Sequence, residues 1–269
     1  MNRRREGPWT VYYHSSEEMP EIGSGVAQIA IASPPFTNQP DGSTLDKKDY
    51  LSFIRRVFRE VLRVLTPGGT LVSINTDLRD HARYNRGDTQ FDSLLWQKHC
   101  AIRCIAESIG FRCVDTKIWA KSLNRNVYRY MFDYIQFFRK ASASGRSSLR
   151  GKVTGAFAPD VWLLEGGTYR RDSRGHVFRD AVHPEIVKRC LDQFTSRGDL
   201  VISPFAGSGT ILSVAQLMGR RCMGYEINRD LKPLIKESIE APEHFPEYVK
   251  LLGAAAASLK TARALRSTR

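Results

Sequence analysis

One segment of the chain constrains the fold more than any other. The sequence DLVISPFAGSGTILSVAQLMGRRCMGYEIN, from Asp199 to Asn228, begins with an apolar strand, passes through a glycine-rich loop into a helix and ends in a second strand. Strand, helix and strand in this order form a βαβ unit, in which the two strands lie parallel in one sheet. The segment therefore predicts an α/β fold with a mostly parallel sheet.

The loop of this unit has the composition of a nucleoside-binding loop. Gly207 and Gly209 let backbone N–H groups approach a ligand at a helix start, and Glu226, which ends the next strand, can accept hydrogen bonds from a ribose diol. A dinucleotide fingerprint needs a third glycine where Leu212 stands, and a Walker loop needs a lysine where Thr210 stands. A nucleoside cofactor without a pyrophosphate therefore fits better, although a tight turn with a solvated glutamate would use the same residues.

A second segment, VAQIAIASPPF, ends an apolar strand in an unusual way. The strand stops at Ser33-Pro34-Pro35-Phe36, where two prolines remove backbone donors and fix two φ angles. These residues alone are compatible with a plain strand end or with a site. In a doubly wound sheet, ligands bind outside the carboxyl ends of the strands, so we expect this segment and the glycine loop to face one pocket.

Strand-like and helix-like patterns alternate along the chain. Helices are predicted at Asp46–Leu65, Ala101–Ile109, Pro184–Thr195, Gly209–Met218 and Leu231–Ile239, and strands at Val11–His14, Val26–Ala32, Thr70–Asn75, Phe111–Trp119, Tyr130–Phe138, Leu200–Ser203 and Arg221–Tyr225. Thr66 to Gly69 is predicted to end the first helix and turn the chain. The strands on either side of residues 121–129 are expected to pair antiparallel. The pattern predicts a doubly wound, mostly parallel α/β sheet with one antiparallel strand pair.

Charge and cysteine content bound the partners and the compartment. The chain has 41 Lys and Arg against 28 Asp and Glu, a surplus that favours a polyanionic partner but also serves solubility. The five cysteines lack metal-ligand spacing and are predicted to be reduced core residues, with Cys100 and Cys104 on the buried face of a helix. No apolar run has the length of a transmembrane helix or a signal peptide. We therefore expect a soluble, cytoplasmic chain with no membrane partner.

Five segments, in order, resemble the amino-group DNA methyltransferases that use S-adenosylmethionine. They are VAQIAIASPPF, EVLRVLTPGGTLVSI, SIGFRCVDTKIWAK, YRYMFDYIQFFRKA and AVHPEIVKRCLDQFTSRGDLVISPFAGSGT. The catalytic motif precedes the cofactor motif, which is the permuted order of the β class, and the likeness covers most of the chain. It implies the Rossmann-like fold of class I methyltransferases, S-adenosylmethionine as methyl donor and double-stranded DNA as partner.

The resemblance also implies roles for single residues. The catalytic motif corresponds to Ser33, Pro34, Pro35 and Phe36. The implied cofactor-binding residues are Ser16, His183, Ser203, Pro204, Phe205, Ala206, Gly207, Ser208, Gly209, Thr210, Glu226 and Asn228. His183 could equally do no more than cap its helix. No metal is expected.

Two positions depart from the family pattern, and a third position, Ser33, indicates the target base. Ser203 stands where the family usually has an acid, and Ser15-Ser16 where it usually has Gly-Asp; a weakened enzyme or a silent DNA-binding relative therefore stays open. The motif begins with Ser in most cytosine-N4 enzymes and with Asp or Asn in most adenine-N6 enzymes, so Ser33 favours cytosine N4. Adenine-N6 transfer on the same fold is the alternative. A nicotinamide oxidoreductase is disfavoured by Leu212.

Four regions follow from the resemblance and from a composition change at KASASGRSSLRGK. They are residues 1–140, the catalytic half; 141–181, an inserted target-recognition region; 182–240, the cofactor half; and 241–269, a basic Ala-rich tail. The residues expected to contact DNA are Arg125, Arg146, Arg150, Lys152, Arg170, Arg171 and Arg174. A cognate restriction endonuclease would be a further partner. The protein is expected to be a monomer or homodimer associated with the nucleoid.

Overall fold

The computed structural model describes residues 8–35, 46–79, 95–121, 132–142, 153, 155–165, 170–175, 177–178, 181–245, 248 and 251. The chain divides into two compact units. The first comprises Met1–Ser15, Leu149–Phe157 and Gly166–Arg269, and the second comprises Ser16–Ser148 and Ala158–Glu165.

Strands and helices alternate along the described residues. The strands are β1 Trp9–Tyr12, β2 Ala27–Ala32, β3 Leu65–Asn75, β4 Leu78–Arg79, β5 Leu95–Trp96, β6 Phe111–Ala120, β7 Phe132–Lys140, β8 Val161–Leu163, β9 Arg170–Arg171, β10 Val177–Phe178, β11 Leu200–Ser203 and β12 Arg221–Tyr225. The helices are α1 Lys47–Val64, α2 Lys98–Ser108, α3 Pro184–Phe194, α4 Thr210–Leu217 and α5 Lys232–Glu240.

Three parallel strands run through the first unit. β12 lies between β1 and β11, and Gly224 on β12 is opposite both Val11 and Ser203. Helix α4 contacts β11 and β12, and α3 and α5 pack against α4. All of β11 is buried, as its continuous apolar sequence predicts for a parallel strand covered by helices. The βαβ unit predicted from the glycine-loop segment is therefore confirmed.

Five strands form the sheet portion of the second unit, in the order β2, β3, β7, β6 and β8. β2 and β3 are parallel, β7 is antiparallel to β3 and β6, and β8 is parallel to β6. Helix α1 contacts α2 and β3, and α2 contacts β6 and β7. The antiparallel pairing of β6 with β7 confirms the prediction for these two segments.

Helix α1 forms where the apolar spacing predicts it. Its start is fixed by Asp46, whose carboxylate accepts the backbone N–H of Asp49 at 2.7 Å. Its buried face comprises Tyr50, Ile54, Val57, Phe58, Val61 and Val64. This is the stripe that a helical period places toward a core, except that Leu65 already belongs to β3.

The predicted turn at Thr66–Gly69 is wrong. β3 begins at Leu65, directly after the helix, and its pairing with β2 shifts within this segment. Ala27 pairs with Leu65 and Ile29 pairs with Thr70. Between these two pairs β3 advances by five residues and β2 by two. The segment forms a bulge, in which a proline loses no ladder hydrogen bond and glycines adopt the irregular backbone that is needed.

The cysteines are free, but not all of them are core residues. Cys190 and Cys222 are buried and Cys113 is half-buried, whereas Cys100 and Cys104 are exposed. The prediction that the last two lie on a buried helix face is wrong, because α2 begins at Lys98 and turns a different face inward. Spacing of one helical turn places two residues on a common face but does not say which face is covered.

Part of the region 141–181 belongs to the sheet of the second unit. β8 pairs with β6, and Trp162 is only 1% exposed. The boundaries at residues 140, 181 and 240 stay a prediction. β1 lies two residues earlier than predicted, at Trp9–Tyr12 rather than Val11–His14. Across the described ranges, no helix is long and apolar enough to cross a membrane.

Candidate active site

The glycine loop follows the carboxyl end of β11 in the first unit. Gly207 and Gly209 have φ angles of +52° and +81°. Residues that carry a side chain rarely adopt this backbone conformation. The N–H of Ala206 donates to the carbonyl of Tyr225 at 2.8 Å, which ties the loop to the end of β12. Helix α4 begins directly after Gly209. The loop can therefore present backbone donors to a ligand at a helix start.

Glu226 is held against this loop. Its carboxylate accepts the N–H of Gly207 at 2.8 Å and the N–H of Asn228 at 2.9 Å. Burial raises the pKa of the carboxyl, and the N–H groups of Asn228, Gly207 and Ile227 offset part of that rise. Each carboxylate oxygen keeps a second lone pair, so the group can also accept hydrogen bonds from a ribose diol.

The hydroxyl groups of the loop are engaged within the protein. Ser208 Oγ and Thr210 Oγ1 lie 2.9 Å apart, and the Tyr248 hydroxyl donates to Thr210 Oγ1 at 3.2 Å. Ser238 on α5 donates to the carbonyl of Ser208 at 2.8 Å. All four residues are buried. The side chains of Ser208 and Thr210 thus fix the shape of the loop, and their predicted roles toward the cofactor stay predictions.

The residues before the glycines are mostly buried. Ser203 is fully buried, and its hydroxyl donates to the carbonyl of Phe205 at 3.2 Å. Pro204 and Ala206 are buried and Phe205 is half-buried. A serine here can form hydrogen bonds but brings no negative charge, which is the physical consequence of the departure from the family pattern.

Of three further residues predicted to bind the cofactor, two cap helices. His183 Nδ1 accepts the N–H of Glu185 at 3.1 Å and caps α3, which is the alternative that the sequence left open. Asn228 is exposed, and its side-chain oxygen accepts the N–H of Asp230 at 2.9 Å. Ser16 is buried at the start of the second unit. Their contacts to a cofactor remain predictions.

Two residues beside Glu226, Ile227 and Tyr13, were not predicted from the sequence. Ile227 is 70% exposed although it is a large apolar residue. Burial and the charge of Glu226 raise the pKa of Tyr13, and Lys232 Nζ lies 5.6 Å from the centroid of the Tyr13 ring. The sequence does contain a signal for Ile227, because an apolar residue directly after the acid that ends a strand can line a ligand pocket. Tyr13 gave none, because only the sheet order brings β1 next to β12.

Ser33, Pro34 and Pro35 follow β2 in the second unit. β2 is buried along most of its length and pairs in parallel with β3. Pro34 is buried, and Ser33 and Pro35 are half-buried. Phe36 lies outside the described residues, so its part in the catalytic motif stays a prediction. The three described residues stand at the carboxyl end of a parallel strand, where open α/β sheets bind their ligands.

A buried lysine contacts this loop and was also missed. Lys98 is 1% exposed, and its Nζ lies 3.1 Å from the carbonyl oxygen of Pro35 and 3.5 Å from that of Pro34. Burial lowers the pKa of Lys98 to about 7, and the carboxylates of Asp133 and Asp77 act in the opposite direction. A lysine within a polar stretch gives no sequence signal of burial, because the contact joins the start of α2 to a loop more than sixty residues earlier.

The two carboxylates have partners of their own. Asp77 accepts from His99 Nδ1 at 2.7 Å and from the His99 backbone N–H at 3.1 Å. The His99 ring stacks on Tyr134 with centroids 3.7 Å apart. Asp133 pairs with Lys121 Nζ at 2.8 Å. Both carboxylates that act on Lys98 are therefore bonded to other side chains.

A hairpin of the first unit carries exposed arginines next to the glycine loop. β9 and β10 pair antiparallel, and Arg171 and Arg174 are exposed. A Cβ placed on Gly207 would lie 3.1 Å from the ring of Phe178, so this strand touches the loop. The N–H and hydroxyl of Ser173 both donate to Glu237 on α5, at 3.1 Å and 2.9 Å.

Of the seven residues predicted to contact DNA, three lie in β9 or shortly after it. Arg174 forms an ion pair with Asp172, at 3.9 Å, and the backbone of Arg170 lies in β9. Arg125, Arg146, Arg150 and Lys152 lie outside the described residues. Contact with DNA stays a prediction for all seven residues.

Comparison with known proteins assigns the chain to a family. The model of N6- and N4-directed methyltransferases, described as DNA methylase, matches residues 27–237. The type II methyltransferase M.MthZI of Methanothermobacter thermautotrophicus is 24% identical over 85% of this chain and 76% of that protein. The type II methyltransferase M.MjaI of Methanocaldococcus jannaschii is 30% identical over 68% of this chain, which spans 65% of that relative.

Solved structures share the fold. A putative DNA modification methylase from Thermus thermophilus, complexed with S-adenosyl-L-methionine, matches with a TM-score of 0.64 and 24% identity, over 90% of this chain and 95% of that chain. The PvuII DNA methyltransferase, described as cytosine-N4-specific, matches with a TM-score of 0.66 and 15% identity, over 91% and 92%. These matches confirm the predicted Rossmann-like α/β class. The chain belongs to the family of amino-group DNA methyltransferases that act on N6 or N4 amines.

Proposed function

We propose that the protein transfers a methyl group from S-adenosylmethionine to the exocyclic N4 amine of cytosine in DNA. The observation that carries the proposal is the position of Ser33 at the carboxyl end of β2, followed by two prolines whose carbonyls face Lys98. Serine in the first position of this motif is, by the family resemblance, typical of cytosine-N4 enzymes.

The loop has the groups that activate an amine. An exocyclic amine conjugated to its ring is a poor nucleophile, because its lone pair is delocalised. If Ser33 Oγ and the carbonyl of Pro34 accept its two N–H bonds, the nitrogen becomes more tetrahedral and its lone pair can point at the sulfonium methyl. Transfer is then direct and in line, and positioning and electrostatics drive it. No covalent intermediate is needed.

S-adenosylmethionine is the methyl donor. The glycine loop supplies backbone donors, Glu226 an acceptor for the ribose, and the exposed side chain of Ile227 an apolar surface for the adenine. The Thermus methylase complexed with this cofactor supports the assignment. Because Ser16 and Ser203 are uncharged, we expect no ion pair with the cofactor's amine from these two positions, and hence a moderate affinity.

The substrate base must leave the duplex. Within a base pair the N4 amine is hydrogen-bonded and stacked, so transfer implies that the cytosine is flipped out. Exposed arginines such as Arg171 and Arg174 suit contacts with phosphates, which fix position but not sequence. A target-recognition role for residues 141–181 and a cognate restriction endonuclease both remain predictions; relatives named type II methyltransferases support the second.

Ser33→Ala tests the proposal. Ser24→Ala is the matched control, because Ser24 is an exposed serine in the same unit. We expect Ser33→Ala to bind DNA and cofactor within about twofold of wild type but to lose about 100-fold in turnover, the scale of a lost transition-state contact. Unchanged turnover would refute the role of Ser33.

The nucleoside product separates the alternatives. We expect mass spectrometry of digested DNA to show N4-methyldeoxycytidine as the product of the wild-type protein. N6-methyldeoxyadenosine alone would establish the adenine-N6 alternative instead. DNA binding without cofactor binding or transfer would indicate a silent DNA-binding relative, for which the serines at positions 16 and 203 are the observation in favour.

A further inference from the structure

The loop proposed to hold the target amine contacts the buried, ionisable side chain of Lys98. Lys98 is 1% exposed, and its Nζ is 3.1 Å from the carbonyl oxygen of Pro35 and 3.5 Å from that of Pro34. The same Nζ lies 5.1 Å from the centroid of the Tyr50 ring. Lysine is rarely buried this completely, because its ammonium group loses its hydration.

Lys98 gives a donor to a loop that lies past the end of a strand. The carbonyls of Pro34 and Pro35 follow the last residue of β2, and Lys98 Nζ lies within hydrogen-bond distance of both. Lys98 can donate to both carbonyls and thereby fixes both peptide planes. An uncharged donor would serve as a tether at a lower desolvation cost. The presence of an ionisable donor therefore needs a second reason.

The charges around Lys98 leave it close to a change of protonation. Tyr50 on α1 faces it, and Asp77 after β3 and Asp133 on β7 are the carboxylates that act on it. Asp77 pairs with His99, at 2.7 Å, and Asp133 with Lys121, at 2.8 Å. Burial outweighs both carboxylates and lowers the pKa of Lys98 to about 7.

We propose that Lys98 is a positioning residue for methyl transfer, which fixes the Pro34 carbonyl that accepts the target amine and tunes the transfer by gaining or losing a proton. This inference rests on the proposed function. During transfer the amine lone pair forms the N–C bond, the S–C bonding pair stays on sulfur, and the amine then loses a proton to water. Positive charge grows on the amine, and an ammonium group on Lys98 opposes it. The rate therefore increases when Lys98 is neutral.

Two variants separate the donor from the charge. Lys98→Met removes both, whereas Lys98→Arg keeps a donor with a permanent charge. Lys236→Met is the matched control, because Lys236 is an exposed lysine on α5. Single-turnover transfer to a DNA duplex is measured at saturating S-adenosylmethionine and DNA, from about pH 6 to about pH 9. The affinities for both ligands are measured alongside.

We expect the transfer rate to depend on pH through the ionisation of Lys98. The wild-type rate should increase about tenfold through one ionisation near pH 7. Both Lys98 variants should lose this increase and be at least about tenfold slower at high pH, with ligand affinities within about twofold. Lys236→Met should keep the rate and the increase. A flat wild-type profile would overturn the inference even if a variant fails to fold, and so would a Lys98→Met variant that keeps both rate and profile.

Ser33→Ala in the same assay distinguishes this inference from the proposed function. If Ser33→Ala loses turnover while the Lys98 variants keep the wild-type profile, the role of Lys98 is refuted and the function stands. If Ser33→Ala keeps its turnover, the proposed function fails and the Lys98 inference fails with it.

Discussion

Replacing Gly209 by alanine tests how the cofactor loop is built. Gly209 has a φ of +81°, and a Cβ placed on it would lie 3.1 Å from the Cα of Ile235 on α5. The obstacle is backbone, so it cannot move aside like the end of a flexible side chain. The substitution therefore carries two costs, one for the backbone conformation and one for the contact with α5.

Gly198 separates these two costs. It has a φ of +84°, and nothing lies within 4 Å of the position that a Cβ would take. Gly198→Ala should therefore lower the free energy of unfolding by the conformational cost alone, about 1 to 2 kcal/mol. Gly209→Ala should lose a further 1 to 3 kcal/mol, roughly the cost of overpacking a core contact.

Urea unfolding and calorimetry give the two readouts. We expect a larger drop in the unfolding free energy for Gly209→Ala than for Gly198→Ala, at an unchanged dependence on urea. Only Gly209→Ala should weaken binding of S-adenosylmethionine, because only it shifts the loop. Equal losses of stability in the two variants would show that the contact with α5 carries no cost. Unchanged cofactor binding by Gly209→Ala would contradict the proposed role of the loop.

Two further predictions concern thiols and salt. A thiol reagent should modify the exposed Cys100 and Cys104 quickly in the native protein, and Cys190 and Cys222 only on unfolding. Burial raises the pKa of both buried thiols, that of Cys222 to about 12. Fast reaction of all four cysteines would contradict the described burial. The affinity for DNA should fall steeply with salt, and Arg171→Ala should lower the slope of the log–log plot by about 1. A slope unchanged by Arg171→Ala would remove that residue from the interface.

The local parts of the fold follow from the sequence, and the long-range parts do not. The glycine loop, α1 and the strand before Ser33 are set by apolar periodicity and by residues with fixed backbone preferences, so they form where predicted. The bulge at Thr66–Gly69 was missed because a Pro-Gly-Gly sequence suits a turn and a bulge equally well. Only pairing with β2 decides between them.

The candidate site shows the same division. Glu226 was predicted because the acid follows a strand at a fixed distance from the glycines, and its two backbone donors agree with that placement. Lys98 was not predicted, because its role depends on a helix start approaching a loop more than sixty residues earlier in the chain. The exposure of Cys100 depends likewise on which face of α2 is covered.

Transfer of a labelled methyl group shows directly whether cytosine N4 is the acceptor. Duplex DNA is incubated with the protein and S-adenosylmethionine that carries a deuterated methyl group, and the nucleosides are then identified by mass spectrometry. We expect the label on N4 of deoxycytidine, lost in Ser33→Ala and retained in Ser24→Ala. Label on N6 of deoxyadenosine, or on cytosine to the same extent in Ser33→Ala, would contradict this expectation.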